Sequence, residues 1–210
     1  MKHIALLTTL LLSASLQAVE KPYDYVFFEN SLMKGDYFYS QAKYTSPSWI
    51  KNARHHLPVA GSVAFTPGNS LELTYVSAPG GDWYSEIQYC PVRGNDFFRE
   101  PSTLSMQVRL RESMNAAALP NIAIRYADST YTQYLNLRNY LKDTRPGVWH
   151  PVSIPLEDFG LNAVNDTNIK KLAAVALRPG TADGNEYTIY LDDIELLPCL
   201  LYTSDAADDK

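Results

Sequence analysis

The chain has 210 residues, 46% of them hydrophobic and 20% charged, with a formal net charge of −5. That length is enough for one substantial core. A mildly acidic chain without a Lys/Arg run lacks the electrostatic footprint of a nucleic-acid or anionic-membrane binder.

The first 18 residues open with Lys2, run through the apolar stretch from Ile4 to Leu12, and end in Ser13, Ala14, Ser15 and Ala18. The apolar run is far short of the roughly 20 residues that a bilayer span requires, so residues 1–18 are expected to be a secretory signal peptide cleaved after Ala18. No cysteine follows the run, so a lipoprotein anchor is not indicated. The expected location is secreted or periplasmic, in a bacterium.

From there the signal is that of strands. An opening strand is expected over Val26, Phe27, Phe28, Glu29 and Asn30. Alternation of apolar and polar residues recurs at Leu71-Leu73-Tyr75, from Trp83 to Tyr89, at Leu104-Met106-Val108-Leu110, at Ile122-Ile124-Tyr126 and from Val148 to Ile154. Period two means one buried and one wet face. Turn clusters separate these runs: Thr66-Pro67-Gly68-Asn69, Ala78-Pro79-Gly80-Gly81-Asp82, Arg93-Gly94-Asn95-Asp96, Arg145-Pro146-Gly147 and Arg178-Pro179-Gly180. Many short strands so spaced predict a β-sandwich or jelly roll. Helical signal is sparse: Glu112 to Leu119 reads as a helical turn or a loop, and Asp166 to Leu172 as a short helix before a strand from Ala173 to Arg178.

The last third carries Gly147-Val148-Trp149-His150-Pro151-Val152-Ser153-Ile154-Pro155-Leu156 and then Tyr190-Leu191-Asp192-Asp193-Ile194. These resemble the closing strands of the galactose-binding-like jelly rolls that include many carbohydrate-binding modules of bacterial glycoside hydrolases. The Phe28-Glu29 strand is similar to their opening one, so the likeness covers both ends of residues 19–198. The resemblance implies an all-β sandwich whose first and last strands lie side by side. It also implies a structural calcium held by Glu29 and Asp192, with Asp193 as the alternative ligand; hard carboxylate oxygens suit that ion. Independently, the buried phase switches between Leu191 and Ile194, which predicts a bulge or an ion-linked kink at Asp192-Asp193.

Catalysis finds little support. Glu157-Asp158 and Asp192-Asp193 are adjacent pairs that point to opposite faces when extended, so neither brackets a glycosidic bond. Glu86, on the outward phase beside Tyr84 and Gln88, has no evident acidic partner and reads as a surface glutamate. The spacing of His55, His56 and His150 makes no zinc site, and Cys90 carries no nucleophile motif. Asn165-Asp166-Thr167 fits a glycosylation sequon. Aromatic and hydrogen-bonding side chains carry the functional expectation, because sugars stack their C–H faces on rings and need donors for their hydroxyls. The candidates are Trp49 and Trp83 at strand–loop junctions, Tyr84, and the hydroxyl donors Arg109 and Arg125 on polar strand faces; Trp149 is assigned to the core.

After Pro198 the chain reads Cys-Leu-Leu-Tyr-Thr-Ser-Asp-Ala-Ala-Asp from Cys199 to Asp208. This fits no strand or helix begun before it and resembles the frame translation of a transposase mosaic-end sequencing adapter. Residues 199–210 are therefore expected to be non-native, which leaves Cys90 a lone thiol at a strand end. The expectation is a non-catalytic carbohydrate-binding module, partnered by a polysaccharide or oligosaccharide and by a catalytic domain downstream in the same chain. Two rivals stand beside it: a structural sandwich packing on that domain without binding sugar, and a jelly-roll hydrolase or lyase.

Overall fold

Leu104, Met106, Val108 and Leu110 are fully or almost fully buried, and the polar residues between them face outward, as period-two alternation dictates. They belong to one strand of a two-layer β-sandwich. The computed structural model describes residues 25–89, 101–161 and 172–198. The expected signal peptide, Cys90, the Arg93 to Asp96 turn, the sequon at Asn165, the 166–172 helix except Leu172, and the tail from Cys199 lie outside those residues. Among the described residues no helix is long and apolar enough to cross a membrane.

In chain order the strands are β1 (Val26–Phe28), β2 (Asp36–Tyr37), β3 (Ser40–Thr45), β4 (Trp49–Ile50), β5 (Leu57–Ala60), β6 (Ser70–Val76), β7 (Asp82–Gln88), β8 (Pro101–Leu110), β9 (Asn121–Tyr126), β10 (Leu135–Asn136), β11 (Trp149–Pro155), β12 (Leu172–Arg178) and β13 (Glu186–Pro198). One sheet has eight strands along the path β11-β8-β13-β6-β5-β2, with β1 on β13 and β4 on β6. The other has five, in the order β10-β9-β12-β7-β3. The first and last strands pair, Val26 opposite Glu195 and Phe28 opposite Ile194. Where a helical turn or loop was expected, a 3-10 turn over Ala116–Ala118 is capped by the Asn115 side chain.

The core lies between the sheets. From the eight-stranded side it takes Leu71, Leu73, Tyr75, Leu104, Met106, Val108, Leu110, Ile189 and Leu191; from the five-stranded side it takes Trp83, Ile87, Ile122, Ile124, Val175 and Leu177. The turn before β7 explains how Trp83 is brought inward. A Cβ added at Gly81 would sit 2.2 Å from the Ser48 nitrogen and 2.7 Å from the Thr45 carbonyl oxygen, so only glycine lets this turn close on the β3–β4 connection. Gly81→Ala is expected to destabilise the fold by about 1–3 kcal/mol, as overpacking does. Gly61→Ala, with open space around its Cβ, should leave the stability from denaturant unfolding within about 0.5 kcal/mol of the parent, the usual range for surface changes. Equal midpoints for the two variants would show that the Gly81 contact does not matter.

Candidate functional site

The outward faces of the two sheets differ in chemistry. On the five-stranded sheet, Gln41 of β3 lies opposite Glu86 of β7, Glu86 opposite Ala176 of β12, and Ala176 opposite Ala123 of β9. The next row runs Gln88, Ala174, Arg125, with Tyr131 bridged to Arg125. Ala123, Ala174 and Ala176 are buried although their phase is outward. Small residues thus floor the middle of this face, and longer side chains from the neighbouring positions cover them.

Tyrosines rise along one side of that floor. The turn after β9 is set by Asp128, whose Oδ1 accepts from the Thr130 nitrogen (3.0 Å) and hydroxyl (2.6 Å), with Ser129 at φ 70°. The chain then returns beside β9: Thr132 donates its N–H to the Ile124 carbonyl and its hydroxyl oxygen accepts from the Ile124 N–H, both at 3.0 Å. This brings Tyr131 and Tyr134 to the face with ring centroids 6.0 Å apart and planes 28° from parallel. They are 38% and 36% exposed.

The two arginines of this face are each paired with an acid. Arg125 Nε lies 3.0 Å from Glu86 Oε1 as a close charge pair, and the same Glu86 oxygen accepts the Tyr131 hydroxyl at 2.7 Å. Arg178 donates from Nη1 to Asp82 Oδ2 at 3.2 Å and from Nε to the Tyr134 hydroxyl at 3.1 Å. Burial and the Glu86 bond push the Tyr131 hydroxyl up to about 12, and burial also raises that of Tyr134. Both stay protonated at any ordinary pH. Lys43 sits 5.9 Å from the centroid of the Tyr84 ring.

Two of the five expected sugar contacts, Tyr84 and Arg125, lie on this face. Three do not. Trp83 is one residue out of phase with it: the indole is 1% exposed, packs 4.8 Å from Tyr75 and donates to Ser77 Oγ at 3.0 Å, so it is a core residue and no stacking platform. Trp49 is half-buried on β4, opposite Val76 of the eight-stranded sheet. Arg109 also belongs to that sheet, between Trp149 and Tyr190, so Arg109 and Arg125 are separated by the whole sandwich and cannot share a ligand. Trp149 corrects a further expectation: its phase is outward, its ring meets that of the exposed Phe65 edge-on at 6.1 Å, and the buried residues of β11 are His150, Val152 and Ile154. Glu86, read as a surface carboxylate, is buried.

The phase switch in β13 is a bulge between Asp192 and Glu195, with Asp193 at φ 47°. Asp192 is fully buried there. Its Oδ2 accepts the N–H groups of Phe65 (2.7 Å) and Thr66 (3.3 Å), and its Oδ1 that of Asp193 (3.0 Å); Thr66 donates its hydroxyl to Asp193 Oδ2 at 2.7 Å. The carboxylate anchors the loop between β5 and β6. N–H donors on both oxygens point positive charge where calcium would have to sit, and among the described residues no three His, Cys, Asp or Glu side chains converge. Calcium at Glu29 and Asp192 stays an expectation, which the response of stability to a chelator tests.

The sequence model of the family "Carbohydrate binding domain 30" matches residues 24–197. The chain belongs to this family. A family 30 module is a non-catalytic carbohydrate-binding β-sandwich; the narrower galactose-binding-like subtype goes beyond what the match fixes. Over 201 residues the chain is 99% identical to an exo β-1,2-glucooligosaccharide sophorohydrolase (non-reducing end) of Parabacteroides distasonis. That match covers 96% of this chain and 28% of that protein, so the chain spans little more than a quarter of the relative's length. The crystal structure of a β-1,2-glucanase from the same organism superposes with a TM-score of 0.82 at 99% identity, over 85% of this chain and 26% of that one. The family 30 module of a cellulosomal cellulase of Clostridium thermocellum shares the fold with a TM-score of 0.61 at 17% identity, over 83% of this chain and 97% of that module.

Neither tyrosine of the pair was singled out from the sequence, nor were Asp82 and Arg178. Tyr131-Thr132-Gln133-Tyr134 follows a turn and lacks a strand-length alternation, so the only hint was the abundance of tyrosine, 15 in the chain.

Proposed function

We propose that the outer face of the five-stranded sheet binds a neutral β-glucan, and that the module serves a catalytic region acting on β-1,2-linked glucan downstream in a longer exported protein. The near-identity to the N-terminal part of a β-1,2-glucan-degrading enzyme carries the choice of glycan. The face supports it. Part-exposed tyrosine rings stack on the C–H faces of glucose, and each arginine beside the tyrosine pair is paired with an acid. Tethering a binding module to a catalytic region raises the local concentration of substrate. The lysine-led apolar leader supports export.

In calorimetric titration of the purified chain, β-1,2-glucan is expected to bind, with Tyr131→Ala and Tyr134→Ala each weakening it by about 1–3 kcal/mol, a five- to 150-fold loss. Undiminished binding by both variants would remove the site from this face. A second reading draws on the opposite sheet, where Phe65 and Val148 are 50% and 44% exposed near Trp149. Apolar exposure of that kind suits packing against the downstream part of the protein.

A further inference from the structure

Tyr131 and Tyr134 stand at the edge of the five-stranded sheet, part-exposed, with their rings against each other. A pair of tethers also fixes the ring tips. The Tyr131 hydroxyl donates to Glu86, which is buried on β7 and paired with Arg125 on β9. The Tyr134 hydroxyl accepts from Arg178 at the end of β12, which is paired with Asp82 at the start of β7. The Arg178 guanidinium carbon also lies 5.6 Å from the Tyr134 ring centroid. The Glu86–Arg125 pair is buried, and such a pair is not a requirement of stability, since apolar residues of similar volume often serve as well; the Arg178–Asp82 pair is exposed, with side chains 43% and 51% accessible. Here each pair presents one group to a tyrosine hydroxyl, and holding a ring before the ligand arrives removes the ordering cost from binding.

We propose that Glu86 and Arg178 are positioning residues that lock Tyr131 and Tyr134 into a preformed stacking surface, Glu86 acting through Tyr131 and Arg178 through Tyr134. This rests on the assignment of glucan binding to the same face. Glu86 is too deeply placed to act as a sugar contact while its Oε1 is shared between the tyrosine hydroxyl and the arginine.

Two double-mutant cycles test this, with β-1,2-glucan as the probe. Tyr131→Phe keeps the ring and removes the tether; it should weaken binding about two- to twelvefold, the consequence of ordering one freed side chain on binding. Glu86→Met, which removes the acceptor, should weaken the parent within the same range and have no further effect in the Tyr131→Phe background. Arg178→Met and Tyr134→Phe should behave in the same way as the second pair. If Glu86→Met weakens both backgrounds equally, Glu86 acts on binding other than through Tyr131 and the positioning role is overturned. If Tyr131→Ala and Tyr134→Ala bind like the parent, the binding face itself is wrong, a separable result. A readout without glycan is titration of tyrosines labelled with carbon-13 at Cζ. Glu86→Met should bring the Tyr131 hydroxyl down from about 12, burial keeping part of the rise, and an unmoved titration would show that the tether is not made in solution.

Discussion

Trp83→Ala is expected to destabilise the domain by about 3–5 kcal/mol, the range for removing a large aromatic side chain from a core. For a domain of this size that lowers the melting temperature by about 6–20 °C. The indole fills the space between the sheets against Tyr75, and its N–H is satisfied by Ser77. The substitution therefore opens a cavity and also removes the donor that Ser77 Oγ accepts. Trp49→Ala, at a half-buried position on the outer side of the other sheet, should lose less than half as much. Chemical denaturation with unchanged slope separates lost stability from a change in compactness. Trp83→Phe, which keeps most of the apolar volume, should fold and bind glucan like the parent. A stable Trp83→Ala variant that has lost only its glucan affinity would return this residue to the binding site.

The second large effect is a dependence of stability on pH that runs opposite to ordinary acid denaturation. Burial pushes the Asp192 carboxyl up to about 6 from the usual 3.8, aided by the Asp193 charge and opposed by the N–H groups of Phe65, Asp193 and Thr66. In the unfolded chain the group titrates near its ordinary value. The folded state thus binds the proton more tightly, so this contribution is fully present below about pH 4 and is lost as pH rises through about 6. A shift of about two units corresponds to about 3 kcal/mol, at about 1.4 kcal/mol per unit. The stability of the parent minus that of Asp192→Asn should fall by roughly that amount between pH 4 and pH 7, isolating Asp192 from the other acids. A calcium ion held by Asp192 would keep the carboxylate ionised and abolish the slope. Unfolding curves across pH in excess chelator and in millimolar calcium separate the two cases: coincident curves leave Asp192 without an ion, and a flat difference profile in calcium alone puts one there.

Much of the architecture was legible without coordinates because it depends on local periodicity. Alternation in residues 104–110 and 122–126 specified which side chains enter the core, turn clusters marked strand ends, and the switch after Leu191 marked the bulge at Asp193. The closing motif and the Phe28-Glu29 strand indicated the family's sandwich with adjacent first and last strands. Period two also assigned Arg109, Arg125, Tyr84 and Glu86 correctly to outward phases. For Trp83 the same rule, applied to Tyr84 and Glu86, already implied an inward indole; its place after a Gly-Gly-Asp turn was given too much weight, since Gly81 is there to let the turn close tightly and carry the ring inside. Trp149 was misassigned for the mirror reason, with the motif preferred over the phase of Val152 and Ile154.

What local pattern cannot encode is which of two outer faces a strand contributes to, because that follows from strand order in three dimensions. Arg109 and Arg125 have the same sequence signature and lie on opposite sides of the molecule, since β8 pairs with β11 and β13 while β9 pairs with β10 and β12. The tethers of the stacking pair are of the same kind: Glu86 and Tyr131 are 45 residues apart, Arg178 and Tyr134 are 44 apart, and Asp82 and Arg178 are 96 apart. Sequence alone thus determined that this chain is a β-sandwich with a carbohydrate-binding motif. Only the tertiary structure decided where the tyrosines and their charged partners meet, because a hydrogen bond between side chains so distant in sequence exists only once the sheet has brought their strands together.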